Sequence, residues 1–171
     1  MVDLDAVFAF ANVAHTGQKR KYTGDDYIVH PMAVSRLVEK NGGSDIQVAA
    51  ALLHDVVEDT PHTLDEIQDL FGPDVTELVK WLTDTSKSED GNRAIRKGID
   101  RARLAEAPAD AQMIKLADMI DNSITIQICD KSFAKVFMAE MKLLIEAMDK
   151  VRSTSLWDDA NDIVTKHYAK T

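Results

Sequence analysis

Residues 49–60 read Ala-Ala-Ala-Leu-Leu-His-Asp-Val-Val-Glu-Asp-Thr, an apolar helix-forming run that ends in the ionisable side chains His54, Asp55, Glu58 and Asp59. On a continuous helix His54 lies one turn from Glu58 and Asp55 one turn from Asp59, so the four line one edge. Carboxylates set beside Ala49, Leu52, Leu53 and Val56 need a metal, a cation or hydrogen-bond donors. A divalent ion would meet that need for the whole group. A His-Asp dipeptide is common by chance in a chain this rich in aspartate, and an acidic capped turn would explain it equally. The weight therefore falls on what the rest of the chain supplies.

Three further sets of residues bear chemistry. His30 directly precedes Pro31, and proline suits the first helical position, so His30 is fixed at a helix start. Lys115, Asp118 and Asn122 form a polar stripe, with Asp121 alongside, on a run that is otherwise apolar through Met113, Ile114, Leu116, Ala117, Ile120, Ile124, Ile126 and Ile128. A carboxylate on so apolar a helix needs a partner, either Lys115 or the ion that His54 and Asp55 would share. Cations gather in the loop Lys19-Arg20-Lys21 and again at Arg93, Lys97 and Arg101, which fall on one helical face with Arg96 and Arg103 nearby. Such clusters are either solvated faces or cradles for phosphates. His62 and His167 have no partners at ligand spacing and read as surface residues.

The elements that position these residues are helical. Apolar residues at Leu4, Val7, Phe8, Ala11 and Ala14 predict a first helix over 3–14, followed by a glycine-containing loop over 16–26 and a short extended lead-in at Tyr27-Ile28-Val29. A second helix runs from Pro31 to the Asn41-Gly42-Gly43 stop. Ser44 with Gln47, and Thr63 with Glu66, form capping-box patterns that open the third and fourth helices. Pro73 starts a fifth helix, and Pro108 with Asp110 opens the long apolar one. Residues 84–92 are polar and read as a mobile loop that covers a site. The apolar residues after 131 read as core-forming helices or as a homodimer face.

Composition narrows the function. A net charge of -9 and a single cysteine in 171 residues disfavour a nucleic-acid polymer or an anionic membrane as partner and exclude an intrachain disulfide. Cys129 reads as a core thiol. No signal-like or membrane-length apolar stretch stands out, which makes the cytoplasm the expected compartment. No linker or repeat divides the chain, so the expectation is one domain over 1–171, with a motif core over about 5–128 and C-terminal helices over 131–170.

Taken together, His15-x-Gly-Gln before Arg20-Lys21, Tyr27-Ile28-x-His30-Pro31, Ala51-Leu52-Leu53-His54-Asp55-x-x-Glu58-Asp59-Thr60, Phe71-Gly72 and Lys115-Leu116-Ala117-Asp118 resemble, in order, the hydrolase domain of the Rel/SpoT family. The joint occurrence is far more specific than any single motif. The resemblance implies an all-α helical bundle of the HD type that holds one divalent ion, usually manganese, and removes pyrophosphate from the 3′ position of (p)ppGpp-like alarmones. It implies His30, His54, Asp55 and Asp118 as metal ligands and Glu58 and Asp59 as the acids that activate or position water. It implies Arg20, Lys21 and Asn122 as nucleotide contacts, to which the cationic face adds Lys97 and Arg101. Two imidazoles and two carboxylates suit manganese or iron. Here Met119-Ile120-Asp121-Asn122 follows Lys-Leu-Ala-Asp where the long enzymes of the family carry Arg-Leu-His-Asn, and the loop before His30 is longer. Guanine and adenine alarmones both stay open, as do an HD phosphohydrolase for ordinary nucleoside triphosphates and a non-catalytic nucleotide-binding module. The length leaves no room for synthetase and regulatory domains, so a stand-alone small alarmone hydrolase is expected.

Overall fold

A computed structural model describes residues 2–169 as helices joined by short loops, with no β-strand among them beyond one isolated bridge between Lys19 and Asp26. The all-α expectation holds. The chain forms two compact units, the first running up to Thr83 and the second beginning at Asp84.

The first unit comprises α1 (Leu4–Ala14), α2 (Val29–Lys40), α3 (Asp45–Leu53), α4 (Val56–Asp59), α5 (Leu64–Phe71) and α6 (Pro73–Leu82). Helix α3 is its axis and packs against α1, α2 and α6. Every residue from Val48 to Leu53 is buried, and the small Ala49, Ala50 and Ala51 let neighbouring helices approach closely. Both capping boxes form: Ser44 accepts from the Gln47 N–H and Thr63 from the Glu66 N–H, with each side chain at the third position reaching back. The turn into α3 requires its glycines. Gly42 has φ 82°, and a Cβ on Gly43 would lie 2.4 Å from Val38 Cγ1.

The second unit holds a short 3-10 turn at Ser88–Asp90, then α7 (Arg93–Glu106), α8 (Ala109–Cys129), α9 (Lys131–Ala147), a second 3-10 turn at Asp149–Val151 and α10 (Ser155–Tyr168). Helix α8 packs on α9 and α10, and α7 lies on α9. Ile114, Leu116 and Ala117 of α8 meet a core of Met138, Met141, Ile145, Leu156 and Ala160, all buried. The Trp157 indole N–H donates to the Ile145 carbonyl at 3.0 Å, tying α10 to α9. No described helix is long and apolar enough to cross a membrane.

Four expectations need correction. The helix carrying His54 does not continue to Asp59: it stops at Leu53, turns through His54 and Asp55, and resumes as α4. His54 Nδ1 bonds the Ala51 carbonyl at 2.8 Å, the acceptor that the Asp55 N–H would use in an unbroken helix. The lead-in at 27–29 is not extended, since Ile28 is helical (φ -54°, ψ -23°) and Val29 already belongs to α2. Cys129 is exposed at the end of α8 rather than in the core. Residues 84–92 are pinned rather than loose at their start: the Thr85 and Ser86 N–H groups both donate to Asp100 Oδ1 at 3.0 Å, and the Ser86 hydroxyl donates to Oδ2 at 2.7 Å.

Candidate active site

In the first unit, helix α2 presents His30 from its first turn and the α3–α4 turn presents His54 and Asp55. Their potential ligand atoms all lie within 4.8 Å of one another. Both imidazoles are buried, His30 at 1% and His54 at 2% exposure. The Ala51 carbonyl accepts from His54 Nδ1, so that nitrogen carries the proton and Nε2 presents a lone pair. That lone pair lies 3.1 Å from Asp55 Oδ2, with His30 Nε2 at 3.6 Å from the same oxygen. A buried and a half-buried acceptor this close repel unless a proton or a cation lies between them. The set therefore fits a divalent ion with nitrogen and oxygen ligands.

The acidic residues follow on α4, where Glu58 and Asp59 are both exposed. Partial desolvation of its carboxyl, together with the negative charge of Asp55, pushes the Asp59 pKa above the usual aspartate value, against a Tyr27 hydrogen bond and the charges of His15 and His54. A raised carboxylate is a better proton acceptor near neutrality. Two supports about this turn went unassigned in the sequence. The Tyr27 hydroxyl donates to Asp55 Oδ2 at 2.6 Å. Gln18 Nε2 donates to the Asp59 carbonyl at 2.6 Å, and Gln18 Oε1 meets His15 Nδ1 at 2.7 Å. His15 and Gln18 belong to the motif at the end of α1, but a sequence motif does not show which atoms its residues hold across 41 positions.

Arg20 and Lys21 sit in the loop between α1 and α2. The Arg20 N–H donates to the Asp25 carbonyl, and the Lys21 ammonium lies 4.9 Å from the Tyr22 ring centroid. Lys19, the first cation of the run, is paired with Asp26 at 2.7 Å.

The second unit encloses a cavity of about 190 Å³ that brings together Lys97, Arg101, Lys115, Asp118 and Asn122. The four-residue spacing that singled out Arg93, Lys97 and Arg101 thus turns one face of α7 into a cavity wall. Lys115 bonds Asp118 at 2.8 Å, and Asn122 Nδ2 donates to Asp118 Oδ1 at 2.6 Å. Arg93 makes a two-pronged pair with Glu140 at 2.7 and 2.8 Å, and Lys97 pairs with Asp84 at 2.6 Å. Arg101 carries neither a hydrogen bond nor an ion pair among the described residues, and Asp100 beside it is committed to Thr85 and Ser86. The remaining wall is apolar: Leu104, Met119, Phe137, Met141 and Leu144. Arg101, uncommitted among the described residues where the other lining cations are paired with Glu140, Asp84 and Asp118, and the apolar wall suit a phosphorylated molecule with a flat apolar part. The acidic partners and the α9 wall were missed because a helical period does not say which face meets which neighbour.

The model of the HD domain family matches residues 7–141. Over 122 residues the chain is 38% identical to a protein of Synechocystis sp. named probable guanosine-3′,5′-bis(diphosphate) 3′-pyrophosphohydrolase, covering 70% of this chain and 16% of that one. It is 36% identical over 125 residues to a GTP pyrophosphokinase of Streptomyces coelicolor, covering 72% of this chain and 15% of the relative. The chain thus spans about a sixth of the length of these curated relatives. A solved structure, of a metazoan SpoT ortholog described as hydrolysing ppGpp and playing a role in starvation responses, superposes with a TM-score of 0.85 at 27% identity, covering 95% of this chain and 94% of that one.

Proposed function

Because the chain belongs to the HD domain family, we propose that it is a divalent-metal-dependent phosphohydrolase that removes the 3′-diphosphate of a (p)ppGpp or (p)ppApp alarmone as pyrophosphate. The observation that carries the reading is the pair of facing lone pairs, buried His54 Nε2 and half-buried Asp55 Oδ2 at 3.1 Å, with His30 Nε2 beside them. The Synechocystis relative and the metazoan structure supply the substrate class, and the cavity's mixture of cations and apolar wall is consistent with a nucleotide.

On this reading His30, His54 and Asp55 hold the ion, and manganese is the proposed occupant. Asp118 as a further ligand rests on the sequence resemblance, and weaker metal binding by Asp118→Asn is its test. When bound, the ion polarises a phosphoryl oxygen and makes water a better nucleophile. Glu58 accepts the proton of the attacking water, with Asp59 positioning it. The water oxygen bonds to the phosphorus attached to the ribose 3′-oxygen, that ester bond breaks, and the 3′-oxygen is protonated to a hydroxyl. Arg20, Lys21, Lys97, Arg101 and Asn122 bind the nucleotide, and the cations among them offset its phosphate charge.

The test is product analysis with purified protein, manganese and ppGpp, ppApp, ordinary nucleoside triphosphates and their deoxy forms. Pyrophosphate released from an alarmone while the 5′-diphosphate survives supports the proposal. Cleavage confined to ordinary triphosphates replaces it with a general nucleotide phosphohydrolase. Tight binding without turnover replaces it with a nucleotide-binding module.

A further inference from the structure

Tyr27 stands beside a ligand of the proposed site. Its hydroxyl donates to Asp55 Oδ2 at 2.6 Å, the same oxygen that lies 3.1 and 3.6 Å from the two imidazole Nε2 atoms. A carboxylate oxygen has two lone pairs. With the phenol on one, the other is left toward the imidazoles, so the carboxylate cannot swing away from them without breaking a short charge-assisted bond.

The phenol is itself held. Its ring lies 4.8 Å from the His15 ring and 5.8 Å from the His30 ring, centroid to centroid. His15 is 3% exposed, and its Nδ1 is fixed by Gln18 at 2.7 Å. Ile28 and His30, which follow it along the chain, are buried. The hydroxyl is therefore preorganised by packing rather than by chance rotation.

We propose that Tyr27 is a positioning residue of the metal centre, its hydroxyl locking Asp55 in ligating orientation. The inference rests on the metal-dependent reading of His30, His54 and Asp55, but not on the identity of the substrate. Partners of ligands outside the coordination sphere contribute about 10- to 100-fold to metal affinity or activity.

The test is a manganese titration of the substrate-free protein by calorimetry, comparing the parent with Tyr27→Phe, with Asp55→Ala as the non-binding control. Phenylalanine keeps the ring contacts and removes only the hydroxyl. The expected result is metal affinity weaker by about 10-fold or more in a protein that stays folded without metal at the titration temperature and, with an active substrate, a loss in kcat rather than in KM. A residue of merely structural importance would move the melting temperature and leave the affinity of the folded protein intact. Equal manganese affinity in Tyr27→Phe and the parent overturns the proposal, and a parent that binds no manganese overturns it together with the metal-dependent reading. Since no substrate enters the titration, a wrong substrate assignment leaves the result standing.

Discussion

At the scale of residues, the side chains that would touch the ion were the most legible part of the chain. His54 and Asp55 stand out because ionisable groups at the end of so apolar a run must be satisfied chemically, and the structure gathers His30 with them. Their supports were not legible, because Tyr27 and Gln18 act through atoms whose partners are distant in sequence. Two predictions belong here. Glu58→Gln, which keeps size and removes the base, is expected to lower kcat by about 10²- to 10⁴-fold with manganese still bound by calorimetry; full turnover would remove Glu58 from the role of base. Arg101→Ala is expected to raise KM about tenfold or more with a smaller change in kcat, because Arg101 is a cavity cation with no hydrogen-bond or ion-pair partner to surrender among the described residues. An unchanged KM would place the phosphates elsewhere.

At the scale of elements, caps and stops were read almost residue by residue, since Ser44 with Gln47, Thr63 with Glu66 and the Gly42-Gly43 stop depend on local chemistry. The turn between α3 and α4 was not legible, because a hydrogen bond from a histidine side chain to a carbonyl leaves no periodicity to read. That turn gives α4 its own anchoring. Gln18 pins the end of α4 through the Asp59 carbonyl, so Gln18→Ala is expected to lower kcat while leaving manganese affinity unchanged, the two being measured on the same preparation.

The Asp100 clamp works on the segment after Asp84. Burial raises the Asp100 pKa, but the Ser86 hydroxyl, the Ser86 and Thr85 N–H groups and the charge of Lys97 outweigh it and hold the carboxyl below the ordinary value. A native value depressed below the unfolded one stabilises the fold above about pH 4, and that contribution is lost as the pH falls through the lower native value. Asp100→Asn is expected to cost about 1.5–3 kcal/mol near neutrality, the range for hydrogen bonds to a charged group. Its urea-unfolding stability is also expected to decline less steeply than the parent's below about pH 4. Parallel pH profiles for the two proteins would contradict the clamp.

At the scale of the whole molecule, two compact units divide the expected chemistry: the first carries His30, His54, Asp55 and the acids of α4, the second the cavity with Lys97, Arg101 and Asn122. The sequence supplied both sets but not the division, since no glycine-, proline- or serine-rich linker marks Thr83–Asp84. The curated relatives include names for opposite reactions, a pyrophosphohydrolase and a pyrophosphokinase, while the chain spans about a sixth of either, so a name alone does not choose the direction of the chemistry. The proposal of hydrolysis rests on the site, where His30, His54 and Asp55 followed by the exposed acids of α4 suit attack by water. The most direct measurement is the product spectrum of ppGpp and ppApp with manganese, for the parent and for Asp55→Ala. The account predicts stoichiometric pyrophosphate with the 5′-diphosphate intact from the parent, and at least a 100-fold slower reaction in the variant, about the least that removing a ligand should cost when even its outer partners are worth up to that much. Pyrophosphate release that persists in Asp55→Ala, or alarmones left intact by a parent with manganese bound, would contradict it.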